Sequence, residues 1–142
     1  MSTASGRNRL RFDHATVTEE PAGRCKAVVS LALGQLIFQD SSEEAAEGSG
    51  SLKAAAAATL KVVQQAAANK FTCALSDLDH VNALGKDLIV VLVDVRFEGR
   101  DVQVFGSCQI DGGAIDAAVK AALNATNRFF ELAMHESGNE KG

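Results

Sequence analysis

The chain is poor in the residues that most often betray a function. It has no tryptophan, no tyrosine and a single proline in 142 residues. Seven phenylalanines supply all its aromatic surface, too little for the stacking platforms that hold single-stranded bases. Long apolar runs are absent too. The longest, Leu88–Val93, falls far short of the roughly 20 residues a membrane-spanning helix needs, and no membrane partner is expected. The start, "MSTASGRNRLRF", lacks the apolar core of a signal peptide. A net charge of −4 gives no general pull toward nucleic acid or anionic lipid. The three cysteines, Cys25, Cys73 and Cys108, are odd in number and widely spaced. That argues against a disulfide framework and for a reducing, cytoplasmic compartment. They read as small apolar residues on strands. His14, His80 and His135 stand apart from one another, and neither they nor the cysteines show zinc-ligand spacing. His80 beside Asp77 and Asp79 is the one local cluster, and it reads as a solvated strand end. No metal, cofactor or catalytic residue is expected, and the chain is read as non-enzymatic.

What is present is an ordinary globular composition, 46% hydrophobic and 23% charged, of a size for one domain. Arg9–Glu19 partly alternates and reads as a strand. Pro21–Gly23 is a turn, Arg24–Leu33 a second strand, and "QLIFQ" after Gly34 a third. Polar residues then lead to a helix over about 52–68. The order starts again: strands in "KFTCALSDLDHVNAL", Asp87–Gly99 and "VQVFGSCQI", a hairpin at Gly99–Asp101, the loop Asp111–Ala114 and a second helix. The fold class is α+β, an internally duplicated βββα-βββα, with an antiparallel sheet and two helices packed on one face. The repeats are placed at 9–69 and 70–136, within one domain over 9–136, and flexible tails at 1–8 and 137–142. A constant offset of 63 residues lays Leu52 on Ile115, Gly50 on Gly113 and Leu60 on Leu123. Each helix has one apolar stripe: Leu52, Ala56, Leu60, Val63 and Ala67, then Ile115, Val119, Leu123, Thr126 and Phe130.

The segment "EGSGSLKAAAAATLKVV" (Glu47–Val63) poses the functional question. Gly48, Ser49, Gly50 and Ser51 precede a helix whose first-turn amides lack internal partners, and the helix dipole adds positive character there. A carboxylate or phosphate suits such a mouth. Alternatively Ser49 or Ser51 simply caps the helix, worth about 1 kcal/mol. The loop alone leaves both readings open. It is neither a P-loop nor a dinucleotide fingerprint, because no Gly-Lys-Ser/Thr follows and no parallel βαβ unit surrounds it. The second loop, "IDGGAID", carries Asp111, which repels anions but accepts a hydrogen bond from an ammonium. One loop for a carboxylate and one for an ammonium is a pairing that an amino acid could use.

The stretch Leu75–Phe130, ending in "AALNATNRFF", resembles the C-terminal regulatory domain of α-isopropylmalate synthase and citramalate synthase. Arg9–Ala68 resembles the same unit more loosely. The resemblance implies a duplicated βββα regulatory domain that forms a homodimer and takes a feedback amino acid, leucine- or isoleucine-like, near the loop-helix junctions. Carried over by position, the first junction is Gly48, Ser49, Gly50, Ser51, Leu52 and Ala55. The second is Asp111, Gly112, Gly113, Ala114, Ile115 and Ala118. "GSGSLKA" and "DGGAIDA" depart from the Asn-Gly-Pro-like and Thr-Asp character typical of those loops. The catalytic barrel of such synthases is absent from the sequence. Two other readings stand beside this one. Three strands before an alanine-rich helix also suggest a double-stranded-RNA-binding module, but Asp111 and Asp116 lie where lysines are wanted, and no nucleic-acid partner is expected. The other is a purely structural homodimerisation module.

Overall fold

The computed structural model describes residues 9–141, and the tail expected over 1–8 lies outside them. Six strands and two helices follow in the order β1 (Arg11–Glu20), β2 (Arg24–Leu33), β3 (Leu36–Ala45), α1 (Gly50–Ala66), β4 (Thr72–Ala83), β5 (Lys86–Phe97), β6 (Arg100–Gln109) and α2 (Ala114–Lys141). This is the duplicated βββα order. The strands form two antiparallel meanders, β1-β2-β3 and β4-β5-β6. α1 begins two residues earlier than its sequence pattern indicates. α2 runs on past Glu136, since neither Ser137 nor Gly138 lacks the amide that i→i−4 pairing needs.

The duplication is visible in burial. Cys25, Ala27, Val29 and Leu31 form the inward face of β2, and Ile89, Val91, Val93 and Val95, each 64 residues on, form that of β5. In α1 the buried run is Ala54, Ala55, Ala56, Ala58, Thr59, Leu60, Val62 and Val63. In α2 every residue 63 positions later, from Ala117 to Thr126, is buried in turn. The second repeat is therefore one residue shorter between middle strand and helix. The first strand of each repeat also carries one register irregularity, at Asp13 and at Ser76.

Each helix packs on its own sheet, and the helices pack on each other. α1 also meets β4 of the second repeat, and α2 meets β1 of the first. Contact on several sides explains why α1 is alanine-rich nearly all round, because only small side chains allow such close approach. Two threonine hydroxyls enter this core. Thr59 Oγ1 donates to the Ala55 carbonyl at 2.7 Å and Thr126 Oγ1 to that of Ala122 at 3.0 Å, so neither is left unsatisfied. The Cys73 amide donates to Gln64 Oε1 at 2.6 Å, fastening β4 to α1.

Three strand turns hold a non-glycine residue, Ala22, Leu84 or Glu98, at positive φ before a glycine. Leu84 and Gly85 join β4 to β5 with φ of 54° and 76°, the positive pair that a type I′ turn requires. Leucine is strained there, and this side chain is fully exposed. Leu84→Asn is expected to raise stability by about 1 kcal/mol. A higher denaturation midpoint at unchanged m-value would show it, and an equal or lower midpoint would count against the turn geometry.

Candidate functional site

The loop from β3 to α1 ends on Ser49, which occupies the N-cap position with φ −91° and ψ 24°. Its side chain makes no capping hydrogen bond. The Gly50 amide donates to Glu47 O at 3.2 Å and the Lys53 amide to Ser49 O at 2.9 Å. Between them, the Ser51 and Leu52 amides have no protein acceptor among the described residues. They are the donors a capping side chain would take. No acidic residue stands within this first turn itself; the nearest carboxylates belong to the preceding strand end and loop. A Cβ on Gly50 would strike the Ala45 carbonyl, so the loop closes tightly over the end of β3.

This turn opens on a cavity of about 530 Å³ lined by Glu44, Ala45, Glu47, Gly48, Ser49, Gly50 and Lys53. Next to it lies a groove of about 390 Å³ between β3, α1 and β4. The two share Glu44 and Lys53. The groove is also lined by Ala57, Leu60, Cys73, Ala74 and Leu75, with Lys61, Ser76 and Asp77 completing it. Lys53 Nζ lies 4.0 Å from Asp77 Oδ1 across this groove, both groups well exposed. Cationic, anionic and apolar surface thus meet at one helix mouth.

Of the first-junction residues, Gly48, Ser49 and Gly50 line the cavity, Ser51 and Leu52 are half-buried beside it, and Ala55 is fully buried in the core. At the second junction Asp111, Gly112 and Gly113 are exposed, Ala114 and Ile115 half-buried, and Ala118 fully buried. No second-junction residue lines the first-junction cavity. The α2 entrance also differs in charge, since its first turn contains Asp116. Glu44, Glu47 and Lys53 are not among the junction residues that the sequence singles out, although Glu47 and Lys53 bracket the Gly-Ser loop. An acid before such a loop and a base after it is the signal that could have found them.

A family comparison bears on this arrangement. The model of the LeuA allosteric (dimerisation) domain matches residues 1–130. The chain belongs to this family. No curated protein matches it. Membership makes the LeuA-type domain here a regulatory and dimerisation module rather than a catalytic one. One buried thiol, Cys73, lies beside the groove. Burial pushes the Cys73 thiol up to about 12, and its Sγ lies 3.5 Å from the Leu60 carbonyl, which accepts its hydrogen. It stays a neutral thiol at ordinary pH, and the thiolate is the nucleophile. Among the described residues no group of three His, Cys, Asp or Glu is placed to hold a metal ion. No described helix is long and apolar enough to cross a membrane.

Proposed function

We propose that this domain is a non-enzymatic homodimeric regulator that binds a small amino acid at the first loop-helix junction. One observation carries the reading: a single cavity presents both poles a zwitterion needs. Lys53 on the cavity wall suits the α-carboxylate, and the open amides of Ser51 and Leu52 stand in the adjoining first turn of α1. Glu44 and Glu47 suit the α-ammonium. The adjoining groove, with Ala57, Leu60 and Leu75, gives an aliphatic side chain somewhere to lie. A leucine- or isoleucine-like ligand fits that combination better than an anion such as phosphate, which the two glutamates repel. The second junction, Asp111, Gly112, Gly113, Ala114, Ile115 and Ala118, offers an ammonium acceptor in Asp111 but lines no part of this cavity. Three free cysteines accord with work in a reducing cytoplasm.

Thermal denaturation with a panel of branched-chain amino acids tests the reading. At a hundredfold excess over the dissociation constant, a true ligand stabilises by about 2.7 kcal/mol, a rise in Tm on the order of 10 °C for a chain of this size. Lys53→Gln is expected to remove most of that rise while leaving the unliganded Tm nearly unchanged, because Lys53 is exposed and its ion pair is loose. If no amino acid moves the wild-type Tm at millimolar concentration, the ligand reading fails and a purely structural dimerisation module is left.

A further inference from the structure

The two repeats serve as controls for each other, and their outward sheet faces differ. On β1-β2-β3 the outward residues are mostly polar, with Thr16, Val28 and Ser41 in one cross-strand row and Thr18, Lys26 and Glu43 in the next. On β4-β5-β6 the outward face instead carries Val81, Leu88, Val90, Leu92 and Phe105. Leu88, Val90 and Phe105 stand 64 residues after Arg24, Lys26 and Ser41. Phe105 is 73% exposed, and a shallow hollow of about 250 Å³ opens beside it, lined in part by Val81, Val90 and Leu92. β5 is therefore apolar on both faces, the pattern of a strand covered on both sides, and no element among the described residues covers the outer one.

We infer that the outer face of β4-β5-β6 is the surface on which a second copy of this chain docks, face to face about a two-fold axis. The inference rests on the homodimeric reading above and names its interface. The size fits. Three strands about 4.8 Å apart, over ten residues at about 3.3 Å rise, project roughly 500 Å², the same order as the ~800 Å² of accessible surface per partner in a standard interface. The chemistry fits as well, with an apolar centre on the middle strand and polar residues at the margins. Charge is complementary along β5. Lys86 and Asp94 lie on the outward face, each four residues from Val90. A two-fold axis lying between the two sheets, perpendicular to β5 and passing over Val90, sets Lys86 of one protomer against Asp94 of its partner. Asp77 and Asp79, on the edge strand β4, line the same hollow and bring two carboxylates to one side of the patch.

Sedimentation equilibrium on the full chain tests this. Wild type is expected to be a dimer. Val90→Lys and, separately, Phe105→Lys are expected to weaken the dimer at least about a hundredfold, with circular dichroism unchanged because both side chains point outward. Val28→Lys, on the corresponding face of the first repeat, is expected to leave the dimer intact. Lys86→Asp and Asp94→Lys each weaken association, and the double variant recovers it. A monomeric wild type would overturn the dimer reading and this interface together. A wild-type dimer that survives both Val90→Lys and Phe105→Lys, or one that Val28→Lys dissociates, overturns the interface alone.

Discussion

Gly106→Ala is expected to destabilise the protein by about 3 kcal/mol or more. Gly106 lies on β6, paired with Val91 of β5, and its missing side chain faces α2. A Cβ there would collide with the Ala121 carbonyl and lie 2.6 Å from the Ala125 amide and 2.7 Å from the Ala125 Cβ. Two of these obstacles are helix backbone, which cannot rotate away as a flexible side chain would. The contact is also fastened, since Asn124 Nδ2 donates to the Ser107 carbonyl at 2.8 Å. Relief therefore requires α2 to lift from the sheet, with loss of the surrounding apolar packing. The sign of the effect is diagnostic. A strand glycine replaced by alanine without a clash usually stabilises by about 0.4–1 kcal/mol, through the entropy of the unfolded chain. Denaturant titration separates the two cases, and a loss under about 1 kcal/mol would show that helix and strand are not in backbone contact. The first repeat has no such constraint at the matching place, where Ser42 stands on β3.

The legibility of this fold in the sequence tracks how local each determinant is. Both apolar stripes are readable because helical spacing is a property of neighbours along the chain. Ala56, Leu60 and Val63 in α1, Ala67 at its C-cap, and Val119, Leu123, Thr126 and Phe130 in α2 are all buried. The βββα duplication is readable because the strand and helix patterns run in the same order twice. Gly106 is not. A lone glycine inside "VQVFGSCQI" looks the same whether it marks a bulge, a bend or the approach of another backbone. The bulges at Asp13 and Ser76 leave no signature in residue type either. At the candidate site the helix mouth follows from Gly48–Ser51, but the grouping of Glu44 with Lys53 depends on how β3 delivers the chain to α1. The groove wall formed by Cys73–Asp77 comes from the other repeat, and no pattern within one repeat announces it.

Phe71→Ala is expected to cost about 4 kcal/mol, a large part of the 5–15 kcal/mol that holds a typical domain together. Phe71 lies between α1 and β4, in the segment that joins the repeats, yet it is only 2% exposed. The chain reaches it through Ala68 and Asn69, both left-handed at φ 54° and 59°. The Asn69 amide donates to Gln64 O at 2.9 Å, so the bend is hydrogen-bonded to the end of α1. Beyond the bend the ring meets two others. Its centroid is 6.2 Å from Phe97 at the end of β5, nearly perpendicular at 88°, and 6.1 Å from Phe129 on α2. Phe97 and Phe129 are themselves 6.0 Å apart at 74°. Each contact falls within the range of favourable aromatic pairs, about 0.5–1.5 kcal/mol beyond area burial. Connector, sheet and second helix therefore converge on one cluster, and truncating its buried member opens a cavity that all three must close around. A double-mutant cycle of Phe71→Ala with Phe129→Ala should return a coupling of about 1 kcal/mol. Phe71→Leu, which keeps most of the volume, should recover more than half of the loss. A loss below about 2 kcal/mol for Phe71→Ala, or additive single effects in the cycle, would mean that the cluster does not lock the connector onto the sheet and helix of the second repeat.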